Sequence, residues 1–204
     1  MKKYAGILLM SIMLFMLTAC GASKTETADQ NAASPAPAAS AEQPEADNTD
    51  QLILYFSWSG NTRAVAEEIS SQTGADIFEI IPETPYSDDY NEVLDTAQRE
   101  QSENARPVIS GAIDDFNKYT TIFVGYPNWW GDMPMIMYSL FDDYDFTGKT
   151  IAPFVTSGGS GFSGTIDTIR SLEPGAEVTE GLSLSGDSAE NSAADVSKWL
   201  TTIE

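Results

Sequence analysis

The stretch Leu52-Ile53-Leu54-Tyr55-Phe56-Ser57-Trp58-Ser59-Gly60-Asn61-Thr62, followed by "RAVAEEIS", decides how the chain is read. Its first half is a continuous apolar run, the pattern of a strand buried on both faces. Residues 62–72 then carry Val65, Ala66 and Ile69 at helical spacing. Between strand and helix sit small hydroxyls, an amide and a glycine. Backbone N–H groups of a tight turn at a helix N-terminus form an anion site. Gly60 allows close backbone approach, and Ser57, Ser59, Thr62 and Asn61 add donors. A monoester phosphate is the natural occupant; the alternative is a Ser/Asn-rich helix cap that holds nothing. The loop lacks G-x-x-x-x-G-K-[ST] and G-x-G-x-x-G, so neither a nucleoside triphosphate nor a dinucleotide pyrophosphate is indicated.

The same alternation continues outward. Apolar runs at 75–81, 120–126, 150–156 and 177–184 read as further strands. Helices are expected at 62–72, 90–103, 133–141, 164–172 and 188–202. The third of these has Pro134 in its first turn, and the last has Ala189, Ala193, Val196 and Leu200 on one face. Strand–helix alternation with continuous apolar strands predicts an α/β fold with a parallel sheet covered on both faces. Met133, Met135 and Met137 read as core packing. Tyr86 and Tyr90 lie in a polar excursion between Pro82 and Pro107, as surface residues or as covers for a pocket mouth.

Two more loops belong on the sheet edge that carries 57–62. The third strand runs into Tyr126-Pro127-Asn128-Trp129-Trp130-Gly131-Asp132, which offers a flat aromatic face. The fourth runs into Thr156-Ser157-Gly158-Gly159-Ser160-Gly161-Phe162-Ser163-Gly164, whose exposed amides can meet ring oxygens and nitrogens. Phosphate donors, an aromatic wall and a glycine-rich wall describe a pocket for a planar ring on a phosphorylated chain. Asp132 reads either as an inward-facing acid near that ring or as the N-cap of the next helix.

At these residues the sequence resembles the flavodoxin-like family. "SWSGNT" is similar to its phosphate loop, "GYPNWWGDMP" to the loop under the flavin, and "TSGGSGFSG" with its lead-in "DFTGKTIAPFV" to the loop on the other side. The resemblance covers nearly all of 51–204 and, with no long insertion in the fifth strand, is to the short-chain branch. It implies a three-layer, doubly wound, five-stranded parallel sheet in the order 2-1-3-4-5, with FMN at the reversal of strand order. Ser57, Ser59, Gly60, Asn61 and Thr62 would hold the phosphate. Pro127, Asn128, Trp129, Trp130 and Gly131 would line the ribityl and isoalloxazine, with one tryptophan stacking and the other in the core. Ser157, Gly158, Gly159, Ser160 and Gly161 would bind the other ring edge. The third-loop tyrosine common in the family is missing, and Phe162 is the aromatic offered instead. The resemblance also gives Gly131 a peptide that can turn to accept a hydrogen bond from the reduced ring.

The ends of the chain are different material. Residues 1–19 read as a signal peptide: Lys2 and Lys3, then an apolar run at 7–17 that is short for a bilayer span. It stops at Leu17-Thr18-Ala19-Cys20, which resembles the lipobox of bacterial lipoproteins, so Cys20, the sole cysteine, is the expected lipidation site. Residues 20–50 are rich in Ala, Ser, Thr, Pro and acids and read as a tether spanning roughly 30 Å as a coil. The domain at 51–204 has 25 acids against 7 bases, which argues against nucleic acid and direct contact with anionic lipid. It favours a redox partner with a basic patch. The absence of histidine excludes the usual Ser-His-Asp and Cys-His nucleophile systems. The expectation is a lipid-anchored, extracytoplasmic FMN protein that transfers electrons. The alternatives are an NAD(P)H-dependent quinone or flavin reductase and a non-redox ligand-binding lipoprotein on the same fold.

Overall fold

The central strands of the sheet, Gln51–Tyr55, Thr121–Pro127 and Thr150–Ser157, are near-continuous apolar runs because both their faces are covered. A computed structural model describes residues 50–203; the expected signal peptide, tether and Cys20 lie outside the described residues. The strands are β1 (Gln51–Tyr55), β2 (Asp76–Glu79), β3 (Thr121–Pro127), β4 (Thr150–Ser157), β5 (Glu177–Val178) and β6 (Leu182–Ser185). All pairings between them are parallel, in the order β2-β1-β3-β4-β5, with β6 also on β4. The helices are α1 (Asn61–Thr73), α2 (Tyr90–Glu103), α3 (Met135–Asp143), α4 (Thr165–Leu172) and α5 (Ala193–Leu200).

Side-chain alternation along β1 sorts the core into two layers. Leu52 and Leu54 pack with Ile122, Val124, Ile136 and Leu140 and with Ile169 of α4. Ile53 and Tyr55 pack with Phe123, Phe154, Val65 and Ile69 and with Val196 and Trp199 of α5. This is the expected three-layer, doubly wound α/β architecture. Gly125 in the middle of β3 is required by close approach: a Cβ there would lie 2.0 Å from the Phe154 ring.

Three expectations are corrected. The single strand at 177–184 is two strands, so among the described residues the sheet has six. Between the pairs Ile151–Val178 and Phe154–Leu182, residues 179–181 face only Ala152 and Pro153, which is a bulge. The cause lies across the sheet. The Ile151 carbonyl accepts from the Thr179 N–H (3.0 Å), so Pro153 is the next residue facing that edge, and it has no N–H to give. Gly181 fits there because its missing Cβ would lie 2.9 Å from the Pro153 carbonyl oxygen and 2.2 Å from the Phe162 ring.

The helix expected at 188–202 divides into a 3₁₀ turn (Gly186–Asn191) and α5. Its buried face is Val196 and Trp199, while Ala193 is exposed. The helix expected at 133–141 starts later, at Met135. The backbones of Trp129 and Asp132 bond each other in both directions (2.9 and 3.0 Å), and Pro134 stays extended at ψ 142°. Asp132 therefore does not cap α3. Its carboxylate accepts from the Met133 N–H at 2.7 Å and from the Tyr138 hydroxyl.

Candidate functional site

Four strand ends, those of β1, β3, β4 and β6, open onto one cleft of about 620 Å³. That volume is in the ordinary range for small-molecule sites. One wall comes from the turn after β1. Ser59 and Asn61 line the cleft. Gly60 stands before α1 at φ 91°, left-handed backbone that a glycine adopts without strain. Ser57 does not line the cleft; its hydroxyl accepts from the Gly60 N–H (3.2 Å) and shapes the turn. Thr62 is buried, and its hydroxyl bonds that of Thr156 (2.8 Å). Thr62 is not itself in the lining, while its partner Thr156 is. Among the described residues no side chain caps α1, and its first turn has no acid. The first N–H groups of a helix have no intrahelical acceptor, so this end offers donors and partial positive charge.

The turn after β3 is held by Asn128. Its amide donates to the Gly161 carbonyl (2.7 Å) and the Ser163 hydroxyl (2.9 Å), and its oxygen accepts from the Gly131 N–H (3.0 Å). Asn128 therefore joins this turn to the one after β4. Pro127, Asn128, Trp129 and Trp130 line the cleft. The two tryptophans have different roles. Trp129 is half-buried, edge-on to Phe56 (5.4 Å) and Tyr86 (5.2 Å). Trp130 is 53% exposed, with left-handed backbone at φ 53°, and its indole N–H donates to the Leu94 carbonyl (3.1 Å). Gly131, also left-handed at φ 80°, lies outside the lining.

In the turn after β4, Ser157 and Gly158 line the cleft. The Ser157 hydroxyl accepts from the N–H groups of Gly159 (3.2 Å) and Gly161 (3.0 Å), which folds the loop back on itself. Gly159, Ser160 and Gly161 form its outer part and are not in the lining. Phe162 points inward, against Gly181 and edge-on to Tyr126 (6.5 Å). It offers the cleft no aromatic face.

Several lining residues are absent from the sequence expectation. Trp58 donates its indole N–H to the Ser87 carbonyl (2.9 Å) and lies 6.1 Å from the Tyr90 ring. Tyr90, which the sequence offered as a surface residue or a cover for the pocket mouth, lines the cleft from α2 together with Val93, Leu94 and Ala97. Their i, i+3, i+4, i+7 spacing was a visible stripe, of the kind that ordinarily faces a core. Ser185, Gly186 and Asp187 complete the rim. Their signal was a third Ser-Gly turn at a strand end, "SLSGD". A Cβ on Gly186 would lie 2.7 Å from the Asn61 side-chain nitrogen, so this turn packs directly on the first.

Tyr86 stands behind Trp129, not over the mouth. Its hydroxyl donates to Glu100 (2.8 Å); burial, then the nearby carboxylate, pushes its titration up, and burial also raises Glu100. Gln101 of the same helix donates to the Trp129 carbonyl (2.9 Å). Among the described residues no Lys or Arg lines the cleft, and Asp187 is its one carboxylate. Among them, too, no cluster of three or more His, Cys, Asp or Glu could hold a metal ion, and no helix is long and apolar enough to cross a membrane.

A family model described as flavodoxin matches residues 50–203. The chain is similar to a candidate flavoprotein of Bacteroides eggerthii DSM 20697, at 29% identity over 76% of this chain and 98% of that one (TM-score 0.68). It is similar to another from Bacteroides uniformis ATCC 8492, at 29% identity over 75% and 98% (TM-score 0.68). A flavoprotein of Lactobacillus acidophilus NCFM, solved in complex with FMN, is 28% identical over 74% of this chain and 99% of its own (TM-score 0.60). No curated protein matches the chain.

Proposed function

The chain belongs to the flavodoxin family, and on that footing we propose that its cleft holds FMN and that the protein carries electrons, tethered outside the cytoplasm to a bacterial membrane through Cys20. The supporting observation is that the uncapped start of α1 and the aromatic turn after β3 face one cleft. A phosphate at the first end would meet the free N–H groups of α1 with Ser59 and Asn61. The ring would lie between the Trp129–Trp130 wall and the Ser157–Gly158 backbone, which leaves Trp130 to keep water from it. Asn128 fixes the spacing between those two walls. The site fits the group without any cation, because backbone dipoles replace one. When bound, FMN supplies one- and two-electron redox chemistry.

An electron carrier is favoured over an NAD(P)H-dependent reductase by charge. A nicotinamide dinucleotide would bring further phosphates to a cleft lined by no Lys or Arg among the described residues. The acidic surface suits a redox partner with a basic patch, docking more tightly at low salt. The signal-like start and the Leu17-Thr18-Ala19-Cys20 stretch support the anchor. Purified protein is expected to be yellow, with flavin absorbance and one FMN per chain. Colourless protein that takes up no FMN at micromolar concentration overturns the reading; a cytoplasmic, unlipidated product overturns the anchor alone.

A further inference from the structure

Resting on the FMN reading, we propose that the cleft also binds a second, uncharged planar molecule of the quinone class on an apolar shelf formed by α2. The cleft has two unlike ends. The end between α1 and the turn after β6 is hydroxyls, amides and the Asp187 carboxylate. The other end is Trp58, Tyr90, Val93, Leu94, Ala97 and Trp130. Both indole N–H groups at this end are already spent on the carbonyls of Ser87 and Leu94. The shelf therefore presents rings and aliphatic carbon, and a flat apolar molecule buries its faces there with no polar group stranded.

Two observations leave this end open to a second guest. Phe162, the one aromatic of the turn after β4, is packed inward on Gly181 and Tyr126, so that turn brings only Ser and Gly to its side of the cleft. Tyr90, at the start of α2, is 60% exposed, so a large ring faces solvent at the mouth.

Charge selects the guest. The bases of the described domain are engaged elsewhere: Arg63 with Glu79, Arg106 with Asp142, Lys118 with Asp76 and Arg170 with Asp167. Lys149 is buried against the carbonyls of Phe116 and Tyr119. Arg99 faces a separate cavity behind Tyr86, and Lys198 lies on α5. A negatively charged guest would find no counter-charge and would meet the acidic surround. A neutral ring meets neither penalty.

The test uses the FMN-loaded protein, with menadione as the neutral probe and 1,4-naphthoquinone-2-sulfonate as the charged one, followed by tryptophan quenching and the visible flavin spectrum. Menadione is expected to bind at least about tenfold more tightly than the sulfonate. Tyr90→Ala and Leu94→Asn are each expected to weaken menadione about tenfold while FMN affinity stays within about twofold. Three results overturn the proposal: no menadione binding up to about 1 mM, equal affinity for the two probes, or unchanged affinity in both variants. Displacement of menadione by FMN from flavin-free protein also overturns it, because the shelf would then be the flavin's own seat. Protein that binds no FMN sinks the parent reading alone, and the shelf is then judged on flavin-free protein with the same probes and variants.

Discussion

Helices α1 and α2 both begin at the rim of one cleft, and their first turns are built in opposite ways. Asp89 closes the start of α2, its carboxylate accepting from the N–H groups of Asn91 (2.9 Å) and Glu92 (3.1 Å), with the acid Glu92 in the first turn. The start of α1 has a left-handed glycine, no capping side chain and no acid. The domain carries 25 acids against 7 bases, so an acid-free first turn runs against its composition. A cap is the ordinary way to satisfy a helix end, at about 1 kcal/mol. The lesson is that α1 forgoes that stabilisation where a bound anion would supply it.

Giving α1 the acid that α2 has is the most severe way to break the contrast. Asn61→Asp is expected to lower FMN affinity about 100-fold, since a carboxylate beside a phosphate costs ~3 kcal/mol near a surface. Riboflavin, which lacks the phosphate, should lose less than about threefold. Parallel fluorescence titrations with the two flavins check this, and equal losses would show that α1 holds no anion. Gly186→Ala sharpens the same point from the neighbouring turn. Its Cβ would displace the Asn61 amide, and FMN affinity should fall about tenfold while the melting temperature moves by less than about 2 °C.

The mirror experiment removes the closed cap. Asp89→Ala is expected to cost about 1 kcal/mol, or about 2–4 °C in melting temperature, with FMN affinity changed less than about threefold. A large flavin defect would mean that the cap serves the site as well as the helix.

A helix end of the other sign gives the smallest effect. Glu173 follows the last turn of α4, and burial, then Asp145 and Asp142, push its carboxyl up to about 7. A raised folded-state value means its contribution to stability is complete below its ordinary range, near pH 4.5. That contribution fades as pH rises through about 7. Glu173→Gln should therefore leave melting unchanged near pH 4 and raise it by roughly 1–2 °C at pH 8, the side chain being half-buried and its charge partly screened by solvent. A gain at acid pH instead would reverse the sign and refute the cause.

Much of this architecture was legible because its signals are local. The strand at 52–56 announces itself by uninterrupted apolar residues, and "SWSGNT" by small donors at a strand end. What escaped depends on contacts across the sheet. The break within 177–184 is written at Pro153, one strand away. The inward turns of Thr62 and Phe162 are decided by Thr156 and Gly181. The α2 stripe was visible as periodicity, yet nothing in its spacing says that Val93 and Leu94 face a cleft and not a core. Trp129 and Trp130 are alike in sequence and unlike in place, because Phe56 and Tyr86 receive only the first.

The bulge opposite Pro153 has a consequence for how the molecule meets others of its kind. A long straight outer strand offers its unpaired backbone groups as a template on which further chains can stack. Here that outer border is cut into pieces of two and four residues with a kink between them. No incoming strand can run along it in register, so the sheet ends at its own boundary and the domain resists fibrous growth from that side.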